Sequence, residues 1–196
     1  MRKVIAQVML SVDGYFEDAK QRLDWHHVDQ SYHQYSEELL HQTDYLLFGR
    51  KTYEHMASFW PTDHAYSLFP KTANYMNQTP KIVASHTMKD SNWLQTEIIN
   101  EGLYIRIYDL KNEDKKGYIL LLASAQLNDA LLKNQLLDEL HVIVTPILLG
   151  QGTPYFKDAS VRLQLLESRV LGADQKSQPT DHTSGNLLLR YKPLYV

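Results

Sequence analysis

Four consecutive apolar residues, Tyr45-Leu46-Leu47-Phe48, end at Gly49, and the chain continues as Arg50-Lys51-Thr52-Tyr53-Glu54. The run is too short for a helix and lacks the alternation of a strand with one wet face. It reads as a strand covered on both sides, the kind found in parallel sheets sandwiched between helices. Residues 52–59 supply the helix that follows, which stops before Pro61. A glycine between strand and helix lets backbone N–H groups approach an anion where the helix dipole favours negative charge. Arg50 is able to clamp phosphate oxygens through two parallel hydrogen bonds, and Thr52 to donate from the first helical turn. A plain βα corner with a surface arginine would show the same string, so this stretch alone leaves both readings open.

The rest of the chain repeats the alternation. Residues 4–10 read as a strand with Val4, Ala6, Val8 and Leu10 on one face, followed by a turn at 11–15 punctuated by Asp13-Gly14. An aromatic, His-rich loop at 21–28 leads to a helix at about 31–41. Beyond Pro61, residues 62–79 read as loop with a short helix near 71–78. Strands are expected at 80–85, 103–108 and 118–122, a helix at about 125–134 and a strand at 140–146. The tail reads as two antiparallel strands, 163–171 and 187–192, with a polar loop at 172–185. Strands alternating with helices imply a mainly parallel α/β sheet, edged by an antiparallel C-terminal hairpin. With 196 residues and no internal repeat, one domain spanning 1–196 is the expectation.

Composition removes several functions. The formal net charge is −3 and the basic residues are scattered, so no field for nucleic acid is built. The absence of cysteine excludes disulfides, thiol catalysis and thiolate metal sites. No apolar run is long enough to span a membrane, and the start of the chain lacks the features of a signal peptide, so a cytoplasmic protein is expected. His26 and His27 are adjacent and rarely converge, and no H-x-x-x-H pair with a partnering acid occurs; no metal site is expected. No G-x-S-x-G elbow supports a hydrolase triad.

Taken in order, several segments resemble a known superfamily: Ser11-Val12-Asp13-Gly14-Tyr15, Leu23-Asp24-Trp25, residues 49–54, Pro80-Lys81-Ile82-Val83-Ala84-Ser85, and Leu137-Asp138-Glu139-Leu140-His141-Val142 with Thr145-Pro146-Ile147-Leu148-Leu149-Gly150-Gln151-Gly152. Together with Asn186-Leu187-Leu188-Leu189-Arg190-Tyr191, they are similar to the dihydrofolate reductase-like superfamily. The branch is the one shared with the C-terminal reductase domain of bacterial riboflavin biosynthesis. The resemblance implies a reductase that binds NADPH at the carboxyl ends of its parallel strands. Gly49, Arg50, Lys51 and Thr52 would hold the cofactor phosphates. Ser85 and His86 would meet the adenosine ribose phosphate, unless Ser85 is a strand-end cap. Ala6 and the turn from Leu10 to Gly14 would border the nicotinamide, and Gly150 and Gly152 would shape the substrate side. A homodimer is implied as well, and the tail hairpin offers an edge for it.

The chain also departs from that pattern. After the strand at 118–122, members of that superfamily usually carry a glycine-serine or a double glycine where the backbone meets the pyrophosphate; this chain has Ala123 and Ser124, with alanine in the glycine's place. A methyl at Ala123 obstructs close approach and makes a positive φ costly, while Ser124 can cap the next helix. Hydride transfer needs a nearby proton source. Asp13 is the catalytic candidate, although an Asp-Gly turn explains it equally. Trp25 and Asp29 are the substrate-side candidates, and Asp29 also suits a helix N-cap. The reading is an NADPH-dependent reductase of a small heterocycle, on the model of 5-amino-6-(5-phosphoribosylamino)uracil reductase. A non-catalytic nucleotide-sensing or protein-binding module on the same fold is the alternative, favoured by Ala123.

Overall fold

The apolar run at 45–48 lies in the middle of a sheet, as its composition demands. The computed structural model describes residues 1–171 and 185–195. The elements, in chain order, are β1 (Lys3–Ser11), β2 (Tyr15–Asp18), α1 (Gln30–His41), β3 (Thr43–Gly49), α2 (Arg50–Phe59), α3 (Asp63–Leu68), α4 (Pro70–Gln78), β4 (Lys81–Ala84) and β5 (Thr96–Ile99). They continue with α5 (Leu103–Asn112), β6 (Tyr118–Leu122), α6 (Ala125–Lys133), β7 (Glu139–Thr145), β8 (Gly152–Pro154), β9 (Arg162–Val170) and β10 (Leu187–Leu194). Among the described residues, one eight-stranded sheet has the order β5-β4-β3-β6-β1-β7-β10-β9. It is parallel from β5 to β7, and the tail strands β10 and β9 add antiparallel pairs. The short ribbon β2–β8 stands apart.

Both faces of the sheet are covered. Leu46 and Phe48 point into a cluster with Tyr35, Leu39 and Leu40 of α1, Tyr53 of α2 and Met76 of α4. Leu47 points the other way, toward Ile107 and Leu110 of α5 and Leu127, Leu131 and Leu132 of α6. Phe48 is fully buried, and truncating such a residue to alanine costs about 3–5 kcal/mol. No helix among the described residues is long and apolar enough to cross a membrane.

One expected strand is a helix. The string Leu-Tyr-Ile-Arg-Ile-Tyr at 103–108 alternates like a strand, yet it opens α5. The residues it buries, Ile107 and Leu110, are three apart, and Ile105 and Tyr108 face solvent. Helical period governs burial there, and the edge strand is the shorter β5 just before it. The short helix expected near 71–78 is α4, and the loop expected before it holds a second helix, α3, capped by Thr62, whose side chain accepts from the Ala65 N–H. The ribbon strands β2 and β8 carry no periodic signal of their own. Of the expected loop at 172–185, only Gly185 is among the described residues.

Candidate functional site

β3 and β6 are parallel neighbours, with Leu47 opposite Leu121, so the corners that follow them lie side by side at the carboxyl edge of the sheet. The first corner passes through Gly49 into α2, which places Arg50, Lys51 and Thr52 in the first turn. The second passes through Ala123 and Ser124 into α6. Both residues sit in the left-handed region, with φ of 51° and 56°. Each such non-glycine residue costs about 1–2 kcal/mol. Surrounding bonds hold them: Ala123 N–H donates to Gln7 O at 2.9 Å, and the fully buried Tyr155 hydroxyl donates to Ala123 O at 2.8 Å. The backbone thus takes the glycine-like path that an alanine was expected to resist. Ser124 then reaches across: its Oγ accepts from Gly49 N–H at 3.0 Å and donates to Thr52 Oγ1 at 2.9 Å.

Arg50 is exposed and pairs with Glu54 one turn along α2, at 2.9 Å, a contact of little energetic weight. Lys51 is exposed beside it. On the other side of β3, Ser85 follows β4 and is buried; its Oγ accepts from the N–H groups of Thr87 and Met88 at 3.3 and 3.0 Å. Ser85 is therefore the cap of its turn, while His86 next to it is exposed. Asn100, after β5, donates to the Ser85 carbonyl and borders an open groove of about 480 Å³ lined also by Ile99, Glu101, Gly102 and Arg106. Groove, turn and both corners form a row along the carboxyl edge from β5 to β6, and the loop after β1 is next. Four strand spacings make that row roughly 20 Å long.

Ala6 is in the core. It is fully buried on the face covered by α5 and α6, in register with Leu121 and Leu140, so its methyl offers nothing to a bound nicotinamide. Gly14 has φ of 84° and closes the turn by donating to Ser11 O. Asp13 is exposed, and its carboxylate accepts from Gly150 N–H at 2.7 Å and Leu149 N–H at 3.2 Å. A hydrogen bond from the Ser11 side chain, helped by those two amides, holds its pKa below the ordinary carboxylate value. An acid already ionised at neutral pH is a poor proton donor. Asp13 is placed as a clamp between the two loops, and Val12 N–H to Ile147 O at 2.9 Å joins them a second time. Gly152 presses on the Glu17 carbonyl, where a Cβ would not fit.

On the α1 side, Asp29 is the helix N-cap and accepts from Tyr32 N–H at 2.9 Å. Trp25 donates from its indole to Arg22 O at 3.2 Å and packs its ring edge against His26. Burial pushes His26 down to about 4, and its buried Nε2 has no partner among the described residues. Reasoning from sequence missed the polar rung beneath α1. Gln7, His141 and Arg190 are aligned across β1, β7 and β10. Gln7 meets the Tyr32 hydroxyl at 3.4 Å, and the Tyr35 hydroxyl meets His141 Nδ1 at 2.6 Å. His141 Nε2 lies 3.0 Å from Glu139, which also accepts from Lys3 and Arg190. Burial lowers His141 and raises Tyr35, while the hydrogen bond from His141 draws Glu139 far below its usual range. The signal was available: an amide in the apolar run Val-Ile-Ala-Gln-Val-Met-Leu, and acid and imidazole two residues apart on one face of β7. Two rungs above His141, Thr145 is buried and its hydroxyl has no partner among the described residues.

Among the described residues, no three His, Asp or Glu side chains gather as ligands of a metal. A family model described as the RibD C-terminal domain matches residues 2–177. The uncharacterised protein YyaP of Bacillus subtilis (strain 168) is 26% identical over 164 residues, 84% of this chain and 85% of that protein. A putative riboflavin biosynthesis protein from Shewanella sp. PV-4 superposes with a TM-score of 0.70 at 24% identity, covering 98% of this chain and 99% of its own. Dihydrofolate reductase from Enterococcus faecalis, solved with NADP(H), superposes with a TM-score of 0.65 at 14% identity, covering 98% and 97%.

Proposed function

Since the chain belongs to the RibD C-terminal domain family, within the dihydrofolate reductase-like superfamily, we propose that it is an NADPH-dependent reductase of a small heterocycle. The observation that carries this reading is the pair of adjacent corners, where the N-termini of α2 and α6 meet through Ser124 and Thr52. Helix N-termini, with Arg50 and Lys51 in the first turn, fit an anionic linker. The groove beyond β5 and the exposed His86 suit the adenosine half, and the clamped turn at 11–14 suits the nicotinamide half. When bound, the nicotinamide supplies a hydride to an electron-poor carbon of the substrate.

The chain's own residues orient and enclose. Asp13 holds the first loop against residues 147–150, which fixes one wall of the site. Gln7 and Tyr32, facing each other under α1, present amide and hydroxyl groups to a heterocycle edge. Asp13 and Asp29 both accept from backbone N–H groups, so neither is assigned the acid's role. Arg190 is committed to Glu139 and Glu167 and Lys3 to Glu139, which leaves this face without an unpaired cation among these groups. A 5-amino-6-(5-phosphoribosylamino)uracil-like substrate would have to bring its phosphate out to solvent. The protein is further proposed to be cytoplasmic and homodimeric. Opposite the short edge strand β5, β9 forms the other edge of the eight-stranded sheet, nine residues long, with Leu165 and Leu166 exposed.

Titration with NADPH, followed by nicotinamide fluorescence, tests the reading. Saturable binding is expected, weakened about tenfold or more when Arg50 and Lys51 are both replaced by alanine, a loss of about 1.4 kcal/mol or more. No binding at millimolar NADPH would leave the alternative, a non-catalytic module. One observation favours that alternative: the Gly49 N–H already has a partner in the chain.

A further inference from the structure

Backbone N–H groups at the start of a helix need acceptors from outside it. For Gly49, at the start of α2, the acceptor comes from another part of the chain. Ser124 Oγ takes that N–H at 3.0 Å and gives its own proton to Thr52 Oγ1 at 2.9 Å. Leu122 O, at 3.3 Å, is its alternative acceptor, since a hydroxyl has one proton. Ser124 is also the N-cap residue of α6, yet its side chain makes no capping bond to that helix. Serine at an N-cap ordinarily accepts from the second or third N–H of its own helix. Here it is turned away from α6 and fills the neighbouring corner instead.

We infer that Ser124 is a built-in occupant of the phosphate corner: its hydroxyl fills the acceptor position of a cofactor phosphate oxygen, and binding expels it. The inference rests on the cofactor reading above. Three features support it. The contact to Gly49 is between neutral groups, and a phosphate oxygen is the stronger acceptor, so exchange runs toward the ligand. The expelled hydroxyl has somewhere to go, because the Leu122 carbonyl and the uncapped first turn of α6 both lie within its own corner. Behind it, one turn along the same flank of α6, Asn128 is fully buried, and both its amide atoms are without a partner among the described residues. Neither α2 nor α6 has a side-chain cap on its first turn, so a ligand's oxygens find donors there beyond the Gly49 N–H. Ser124 thereby sets the cofactor affinity, keeping it lower than two helix N-termini would otherwise give.

The test uses the full chain and NADPH, with nicotinamide fluorescence as readout and urea denaturation as a check on folding. Ser124→Ala removes the hydroxyl and leaves the backbone demand unchanged; Ser124→Gly also relieves the positive φ. Both variants are expected to bind NADPH about fivefold to tenfold more tightly than the parent chain, the worth of one neutral hydrogen bond. Binding by the variants where the parent shows none supports the inference in its strongest form. Equal or weaker binding by Ser124→Ala overturns it: the hydroxyl is then a ligand of the phosphate, and the cofactor reading stands. Silence of all three proteins at millimolar NADPH removes the cofactor reading and this inference together. Ser124→Ala decides the matter if the glycine variant fails to fold.

Discussion

Replacing Glu139 by alanine probes the buried polar rung at its hub. Glu139 Oε1 accepts from Lys3 Nζ at 2.7 Å; Oε2 accepts from Arg190 Nη2 at 2.8 Å and meets His141 Nε2 at 3.0 Å. Its side chain is 6% exposed, against 56% for Lys3 and 34% for Arg190. Removing one partner of a buried ion pair costs about 3–5 kcal/mol when the other charge is stranded. Here both cations are able to turn toward water, and Arg190 keeps Glu167, so the lower end applies, about 3 kcal/mol. In a chain of this length that lowers Tm by roughly 6–12 °C. The pH dependence follows from the direction of each shift. Glu139 has a folded pKa below its ordinary 4.5, so its contribution is present above 4.5 and is lost as pH falls toward the folded value. His141 is also lowered, from 6.5, so the unfolded chain takes up a proton below that pH before the folded chain does, and acid destabilises again. Urea denaturation followed by tryptophan fluorescence should show the Glu139→Ala deficit smaller by about 2 kcal/mol at about pH 3 than at about pH 7. A deficit below about 1 kcal/mol at neutral pH, or one that does not change with pH, refutes the electrostatic reasoning.

Lys81 is buried over the Trp93 ring, donates to Asn77 O and Leu94 O, and is pushed down by burial to about 8. Between that value and its ordinary 10.5 the unfolded chain holds a proton the folded chain has released, so stability rises with pH. Urea curves should show the parent gaining about 2 kcal/mol on Lys81→Met between about pH 7.5 and about pH 10; parallel trends contradict this. Asp13→Ala should expose the Leu149 and Gly150 amides to hydrogen exchange about tenfold faster, whereas unchanged protection removes the loop clamp. Tyr155→Phe deletes the hydroxyl that holds the Ala123 carbonyl and should cost about 1–2 kcal/mol in urea; a difference near zero shows that the strained corner stands without it.

The sheet was legible because its centre is written in continuous apolar runs. Residues 45–48 and 118–122 need both faces covered, and only a parallel sheet between helices provides that. Legibility failed where a short-range pattern competed with packing. Residues 103–108 alternate like a strand, yet α5 buries Ile107 and Leu110 at helical spacing, and Gly102 at φ of 75° starts it. At the candidate site, Gly49, Arg50, Lys51 and Thr52 were readable as a corner, and Asp29 as a cap. What joins Ser124 to Gly49 is contact over 75 residues, which no local string records. Asp13 was read by its chemistry, but its loop geometry gives it an anchoring role. Ala6 was read by position in the resemblance, and the strand's alternation puts it in the core. The rung of Gln7, His141 and Arg190 becomes visible only once three strands are set in register.

The central claim is that a dinucleotide lies along the carboxyl edge of the sheet, with its charged linker between the two corners. Backbone amide chemical shifts recorded during titration with NADPH test it most directly. Saturable shifts are expected, concentrated at Gly49 to Thr52, at Ala123 to Ala125 and in the turn at 11–14. Shifts confined to the β9 edge, or none in either corner at saturating NADPH, would contradict it.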